Sequence, residues 1–136
     1  MYPTTIYRVS AKAYITNDKN QVLVVRETGD YWGLPGGGLD HGETAEQCIM
    51  REMNEEMGVS GVQVGEIAYS TTFDLQQAGL WMVWIIHKTT LNTTHYIFGD
   101  GVTDARFIDP LDLKDSNDIF EKAIYEISQN LAGGNE

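Results

Sequence analysis

The stretch Pro35–Val59, PGGGLDHGETAEQCIMREMNEEMGV, sets three glycines before a helical run that ends on Glu52, Glu55 and Glu56. On a helix Glu52 faces both later glutamates at i+3 and i+4, and each like-charge pair costs roughly 0.2 to 0.5 kcal/mol. Gly58 reads as the C-terminal stop, which puts all three carboxylates near the negative end of the macrodipole, where cations are preferred. Lysine or glutamine at these positions would relieve the repulsion. The sequence keeps a cost that folding does not require, and such places mark function.

At about 100° per residue, Glu55 lies roughly 60° to one side of Glu52 and Glu56 roughly 40° to the other, so the three make one fan. Ile49, Met50, Met53 and Met57 fill the adjoining sector, so the helix is expected to bury an apolar stripe and hold the fan at a cleft edge. Carboxylates gathered this way suit a hard divalent cation, Mg²⁺ or Mn²⁺, which keeps several waters and takes a few carboxylates together with substrate phosphates. Gly36, Gly37 and Gly38 permit close backbone approach, which brings a carbonyl within reach of such an ion.

Outward from this helix, expected over Glu43 or Thr44 to Met57, the chain reads as strands on both sides. Tyr7 to Thr16 and Gln21 to Glu27 flank the turn-rich NDKN and suggest a hairpin. Val62 to Phe73 and Leu80 to Leu91 are strand-like, with QQAG as the turn between them, and Val102 to Ile108 follows. LWMVWIIHK is apolar on both alternating faces, which predicts a strand covered on each side. In the tail, Phe120, Ala123, Ile124, Ile127 and Leu131 fall at helical spacing, with Ser116 or Asn117 as cap and Gly133-Gly134 as stop. The simplest architecture is a three-layer α/β/α sandwich around a mixed sheet, one domain over residues 1–136.

Composition agrees with one core: 42% of the 136 residues are hydrophobic. The net charge of -11, with nine Lys and Arg, disfavours nucleic acid as a partner and makes metal ions the natural intermediaries for an anionic substrate. No apolar run approaches a membrane span and the N-terminus has no secretory pattern, so no membrane partner is expected and the cytoplasm is the expected compartment. The single cysteine, Cys48, excludes an intrachain disulfide and reads as a small packing residue.

Gly37, five residues, Glu43, seven residues, then Arg51-Glu52-Met53-Asn54-Glu55-Glu56-Met57-Gly58-Val59 is similar to the Nudix box, residues 37–59, at every specified position. Together with WGLPGG before it, the order of strands and the C-terminal helix, the chain resembles the MutT-like Nudix hydrolases over nearly its whole length. The resemblance implies a Mg²⁺- or Mn²⁺-dependent hydrolase of the diphosphate bond in a nucleoside diphosphate linked to another moiety: a nucleoside triphosphate, a nucleotide sugar or an ADP-ribose-like compound. It implies Glu52, Glu55 and Glu56 as metal ligands with the Gly36 carbonyl. It also implies a catalytic base, with Glu52 ahead of Glu56 and of an acid from a later loop. Arg51 and Glu43 would fix the loop and orient the ligands. Asp100 and Asp104 in FGDGVTDARFID are the candidates for an extra carboxylate. The alternative is a catalytically quiet Nudix-fold module that binds or senses a nucleotide, which this complete set of box carboxylates disfavours. Members are often dimers, so a homodimer stays open although no segment identifies an interface.

For substrate binding, Tyr31, Trp32, Phe73, Trp81 and Trp84 are the aromatic candidates, with Trp32 first because it precedes the glycine loop. Arg8, Lys12 and Arg26 on the first two strands are the basic residues placed to meet phosphate oxygens. Asp112, Asp115 and Asp118 lack the spacing and glycine of a calcium loop and read as helix-capping residues.

Overall fold

The computed structural model describes residues 6–27, 29–77 and 79–133, the side chains of Gln76 and Gln77 apart. Its elements in chain order are β1 (Ile6–Tyr14), β2 (Val22–Arg26), β3 (Gly36–Gly38), α1 (Ala45–Met57), β4 (Gln63–Gln77), β5 (Leu80–Thr90), β6 (Asp104–Ile108), a 3₁₀ turn (Pro110–Leu113) and α2 (Ile119–Gly133). Four strands make a mixed sheet in the order β3-β1-β5-β4, with β1 parallel to β5 and the other neighbours antiparallel. The remaining pair, β2 and β6, forms an antiparallel ribbon.

Strand alternation explains why helices lie on both sides. Ala11 and Ala13 of β1 pack with Cys48, Ile49, Met53 and Met57 of α1. On the opposite face of the paired strands, Met82, Trp84 and Ile86 of β5 pack with Ala123, Ile124 and Ile127 of α2. The ribbon joins both clusters: Leu23 and Val25 go to the first, Val22 and Val24 to the second. The predicted three-layer arrangement holds, and β5 is central as its sequence predicts.

The expected hairpin is only a turn. Leu23 donates to the Ile15 carbonyl at 2.9 Å and Thr16 bridges Val22, but beyond that point β1 and β2 diverge into different sheets, because β2 pairs with β6. Ala78 of the predicted QQAG turn and Gly134 of the predicted helix stop lie outside the described residues. The cap of α2 is Asp118 rather than Ser116 or Asn117. Its Oδ2 accepts from the Phe120 and Glu121 amides, while Ser116 Oγ braces Asp118 by accepting its amide proton. Asp118, read from the sequence as a helix-capping residue, satisfies two free amides of the first turn, and its charge suits the positive end of the helix.

Candidate active site

Helix α1 begins with a capping box: Thr44 Oγ1 accepts from the Gln47 amide at 3.1 Å and Gln47 Oε1 accepts from the Thr44 amide at 3.0 Å. It stops at Gly58, left-handed at φ 66°, whose amide returns to Asn54 while the Val59 amide returns to Met53. Met50, expected in the apolar stripe, is 43% exposed, and Glu56 takes a place in the buried sector instead at 2% exposure. The fan therefore divides. Glu55 faces solvent, Glu52 is mostly covered, and Glu56 is inside rather than at the cleft edge.

Gly36 explains the inward turn of Glu56. In the antiparallel pairing of β1 with β3, Ala13 donates to the Pro35 carbonyl, so the next pair, Lys12 with Gly36, is a non-hydrogen-bonded position. Both polar groups of Gly36 then point away from β1. Its amide donates to Glu56 Oε1 at 2.9 Å. Its carbonyl accepts from Lys12 Nζ at 3.4 Å, and the Leu34 carbonyl accepts from the same ammonium at 3.5 Å. A side chain at Gly36 is excluded: its φ is 130° and a Cβ would come within 2.1 Å of the Ala11 carbonyl oxygen.

Arg51 organises the other end. It donates from Nε to Glu43 Oε2 at 2.7 Å, from Nη2 to Glu43 Oε1 at 2.9 Å and to the Gly38 carbonyl, and from Nη1 to Glu52 at 2.7 Å and Glu55 at 3.2 Å. These bonds hold the Glu43 carboxyl down at about 2 and raise the Arg51 guanidinium still further above neutrality. Burial acts the opposite way on Glu56, pushing its carboxyl up to about 8 against the Gly36 amide and the Lys12 charge, which pull it down. Burial also lowers Lys12, against the attraction of Glu56, Glu27 and Glu52.

The last turn of α1 decides which of the two candidate aspartates lies near the glutamates. Its carbonyls at Met57 and Glu56 accept from the Ile97 and Gly99 amides, both bonds within 3.0 Å. That stitching brings Asp100, left-handed at φ 52°, beside the glutamates. One oxygen from each of Glu52, Glu55 and Asp100 lies within 4.8 Å of the others. Asp104 goes elsewhere, to an ion pair with Arg106 at 2.6 Å. Three carboxylates converging this way, hard oxygen donors all, are a donor set that fits a divalent cation; Glu56, expected as the third glutamate ligand, lies outside this group, and its buried Oε2 has no partner.

The basic candidates divide between the glycine loop and Trp32. The Arg8 guanidinium rests on the glycine loop, where a Cβ at Gly38 would be 2.7 Å from Nη2. Arg26 stacks over the Trp32 ring at 3.9 Å, with Arg106 further off at 5.3 Å, and the Trp32 amide is tied to Glu121 of α2 at 2.8 Å. Trp84 is core, in ring contact with Phe73 and Phe120, whereas Tyr31 and Trp81 are exposed. Sequence reasoning overlooked two supports of the loop. Asp40 adds a carboxylate 3.3 Å from Arg51 Nε, and the Cys48 thiol donates to the Gly37 carbonyl at 3.2 Å.

A family model, that of the NUDIX domain, matches residues 6–129. The chain belongs to the Nudix family. Among curated Nudix relatives, an RNA pyrophosphohydrolase of Ruthia magnifica subsp. Calyptogena magnifica is 43% identical over 63 residues, 46% of this chain and 35% of that protein. One of the same name from Serratia proteamaculans is 43% identical over 63 residues, 46% of this chain and 36% of that one. The chain thus spans little more than a third of the length of these relatives. A solved structure of a MutT protein from Methanosarcina mazei Go1 superposes with a TM-score of 0.80 at 19% identity, covering 97% of each chain. A UDP-X diphosphatase gives 0.78 at 20% identity, covering 100% of this chain and 66% of that one. At these identities the superpositions speak for the Nudix fold alone. No helix among the described residues is long and apolar enough to cross a membrane.

Proposed function

We propose that this chain, as one Nudix domain, is a cytoplasmic hydrolase that uses Mg²⁺ or Mn²⁺ to cleave the diphosphate bond of a small nucleoside diphosphate derivative. The observation that carries the reading is the convergence of Glu52, Glu55 and Asp100, with Glu56 one turn on from Glu52 in the same helix and its buried Oε2 without a partner. These residues, with the Gly36 carbonyl, would hold the ion. A bound divalent ion supplies neutralisation of the diphosphate charge and makes water a better nucleophile. Arg51 fixes Glu52 through Oε1, and Glu52 is the base that takes a proton from the attacking water. The water oxygen bonds to phosphorus, the bridging P–O bond breaks, and a nucleoside monophosphate leaves with a phosphorylated partner or pyrophosphate. Arg26 stacked on Trp32, and Arg8 over the glycine loop, are the groups placed to meet the substrate.

The relatives named RNA pyrophosphohydrolase suggest an RNA end as a substrate, but a net charge of -11 argues for a small nucleotide. Mass spectrometry of products tests both. The protein is incubated with Mg²⁺ and a panel of nucleoside triphosphates, nucleotide sugars, dinucleotides and a 5′-triphosphorylated oligonucleotide, with Glu52→Gln as control. Cleavage of a small nucleotide that needs metal and is lost in the control is expected. Metal-dependent binding with no cleavage of any panel member would overturn the hydrolase reading.

A further inference from the structure

Lys12 is a basic side chain in an otherwise buried stretch of β1, between Ala11 and Ala13, both fully buried. Its side chain runs toward the second core, where Nζ lies 5.3 Å from the centre of the Trp84 ring. Its donors go to the glycine loop, to the carbonyls of Leu34 and Gly36. These two flank Pro35, whose own carbonyl is taken by the Ala13 amide. The ladder leaves the Gly36 carbonyl turned away from β1, and the ammonium occupies it. The same peptide group therefore joins a carboxyl group through its amide, at Glu56, and an amine through its carbonyl, at Lys12.

We propose that Lys12 is a built-in competitor for the divalent-ion site, its ammonium holding the Gly36 carbonyl until an ion displaces it. The inference rests on the proposed ion site and adds to it a residue that sets its affinity. A single positive charge on a flexible stem satisfies the carbonyl and balances part of the field of Glu56, Glu27 and Glu52. The substrate-free site thereby holds an ion weakly, and an ion bound to an anionic substrate has the advantage. The ammonium already lies 5.3 Å from the centre of the Trp84 ring, a contact that can persist when an ion takes the carbonyl. Lys12 is a positioning residue in this account: it acts on the ion through the Gly36 carbonyl and through charge.

The test is Mn²⁺ binding to the substrate-free protein, read by electron paramagnetic resonance, for wild type, Lys12→Met, Lys12→Arg and Glu52→Gln. Removing one positive charge at this range tightens binding on the order of tenfold in Lys12→Met, while Lys12→Arg stays near wild type. Glu52→Gln weakens binding. If Glu52→Gln is impaired but Lys12→Met binds no tighter than wild type, the competition is overturned and the ion site stands. If wild type binds no Mn²⁺, or Glu52→Gln binds as wild type does, the ion site itself fails and the inference with it. A second measurement needs no variant to fold except Lys12→Arg, used for assignment. In wild type carrying ¹³C-lysine, the Lys12 Cε resonance is expected to shift on Mg²⁺ addition with the midpoint of ion binding. A resonance that stays in place through saturation overturns the proposal.

Discussion

Glu56 and Gly36 are joined by one hydrogen bond of 2.9 Å from the glycine amide to Oε1, and the other carboxylate oxygen, Oε2, is buried without a partner. A carboxyl so placed is half satisfied. The satisfied half locks the loop to the helix, and the other half is available to an ion or a proton. Glutamine at this position keeps the acceptor for Gly36 and carries no charge to bury. Glu56→Gln is therefore expected to melt within about 1 kcal/mol of the metal-free wild type, whereas Glu56→Ala, which orphans the Gly36 amide, loses about 1 to 3 kcal/mol. Added Mg²⁺ is expected to raise the melting temperature of wild type and not of Glu56→Gln. Thermal melts with and without Mg²⁺ at matched ionic strength check all three statements.

Asp100 and Asp104 separate by what holds them. Asp100 sits with Glu52 and Glu55, while Asp104 is paired with Arg106 on β6. Asparagine tolerates the left-handed backbone of position 100, so Asp100→Asn removes charge without strain. It is expected to weaken Mn²⁺ binding about tenfold, the scale of one lost charge beside an ion, with Asp104→Asn unchanged. Equal affinities for the two variants by calorimetric titration would remove Asp100 from the ligand set.

Much of this site is legible in the sequence, and what is hidden is hidden for physical reasons. The bounds of α1 follow from local chemistry: the Thr44–Gln47 capping box and the left-handed Gly58 are signals that neighbours in sequence complete by themselves. The three glycines of β3 carry no side-chain alternation, so nothing local marks them as a strand, and β1 alone makes them one. The burial of Glu56 turns on a rotation of roughly 40° between it and Glu52, less than spacing can settle. Asp100, and not Asp104, is brought beside the glutamates by backbone bonds from Ile97 and Gly99 to the end of α1, which join segments some forty residues apart.

Those backbone bonds make Gly99 a sensitive position. A Cβ there would lie 2.6 Å from the Glu55 carbonyl oxygen, backbone that cannot give way without unwinding the end of α1. Gly99→Ala is expected to displace the loop carrying Asp100, costing about 1 to 3 kcal/mol of stability and weakening Mn²⁺ binding as Asp100→Asn does. Chemical denaturation and an Mn²⁺ titration on the same variant check the pairing. Full stability with full affinity would mean that the loop does not depend on this contact.

Arg51 and Glu43 give a pH dependence whose sign is fixed by the shift. The Glu43 carboxyl is held at about 2, below its ordinary 4.5, so the folded state favours its charged form. The pair therefore stabilises the protein fully above about 4.5 and loses that contribution as pH falls toward about 2. Glu43→Gln is expected to melt lower than wild type near neutral pH, with the difference shrinking as the buffer is taken from 5 down to about 2. A difference that stays constant over that range would show that Glu43 acts by shape rather than by charge.

Arg26 lies 3.9 Å over the ring of Trp32, and its buried Nε has no partner. A guanidinium stacked this way is oriented without being neutralised, which suits it to a phosphate or to the edge of a base. Because it is not among the groups that would hold the ion, its loss is expected to fall on substrate binding rather than on chemistry. Arg26→Met keeps a side chain over the ring and removes the charge. It is expected to raise KM about tenfold with kcat within about threefold of wild type, the pattern of a lost uniform binding interaction. Steady-state kinetics on whichever nucleotide the product screen selects decides the matter. A fall in kcat with KM unchanged would move Arg26 from holding the substrate to stabilising the transition state.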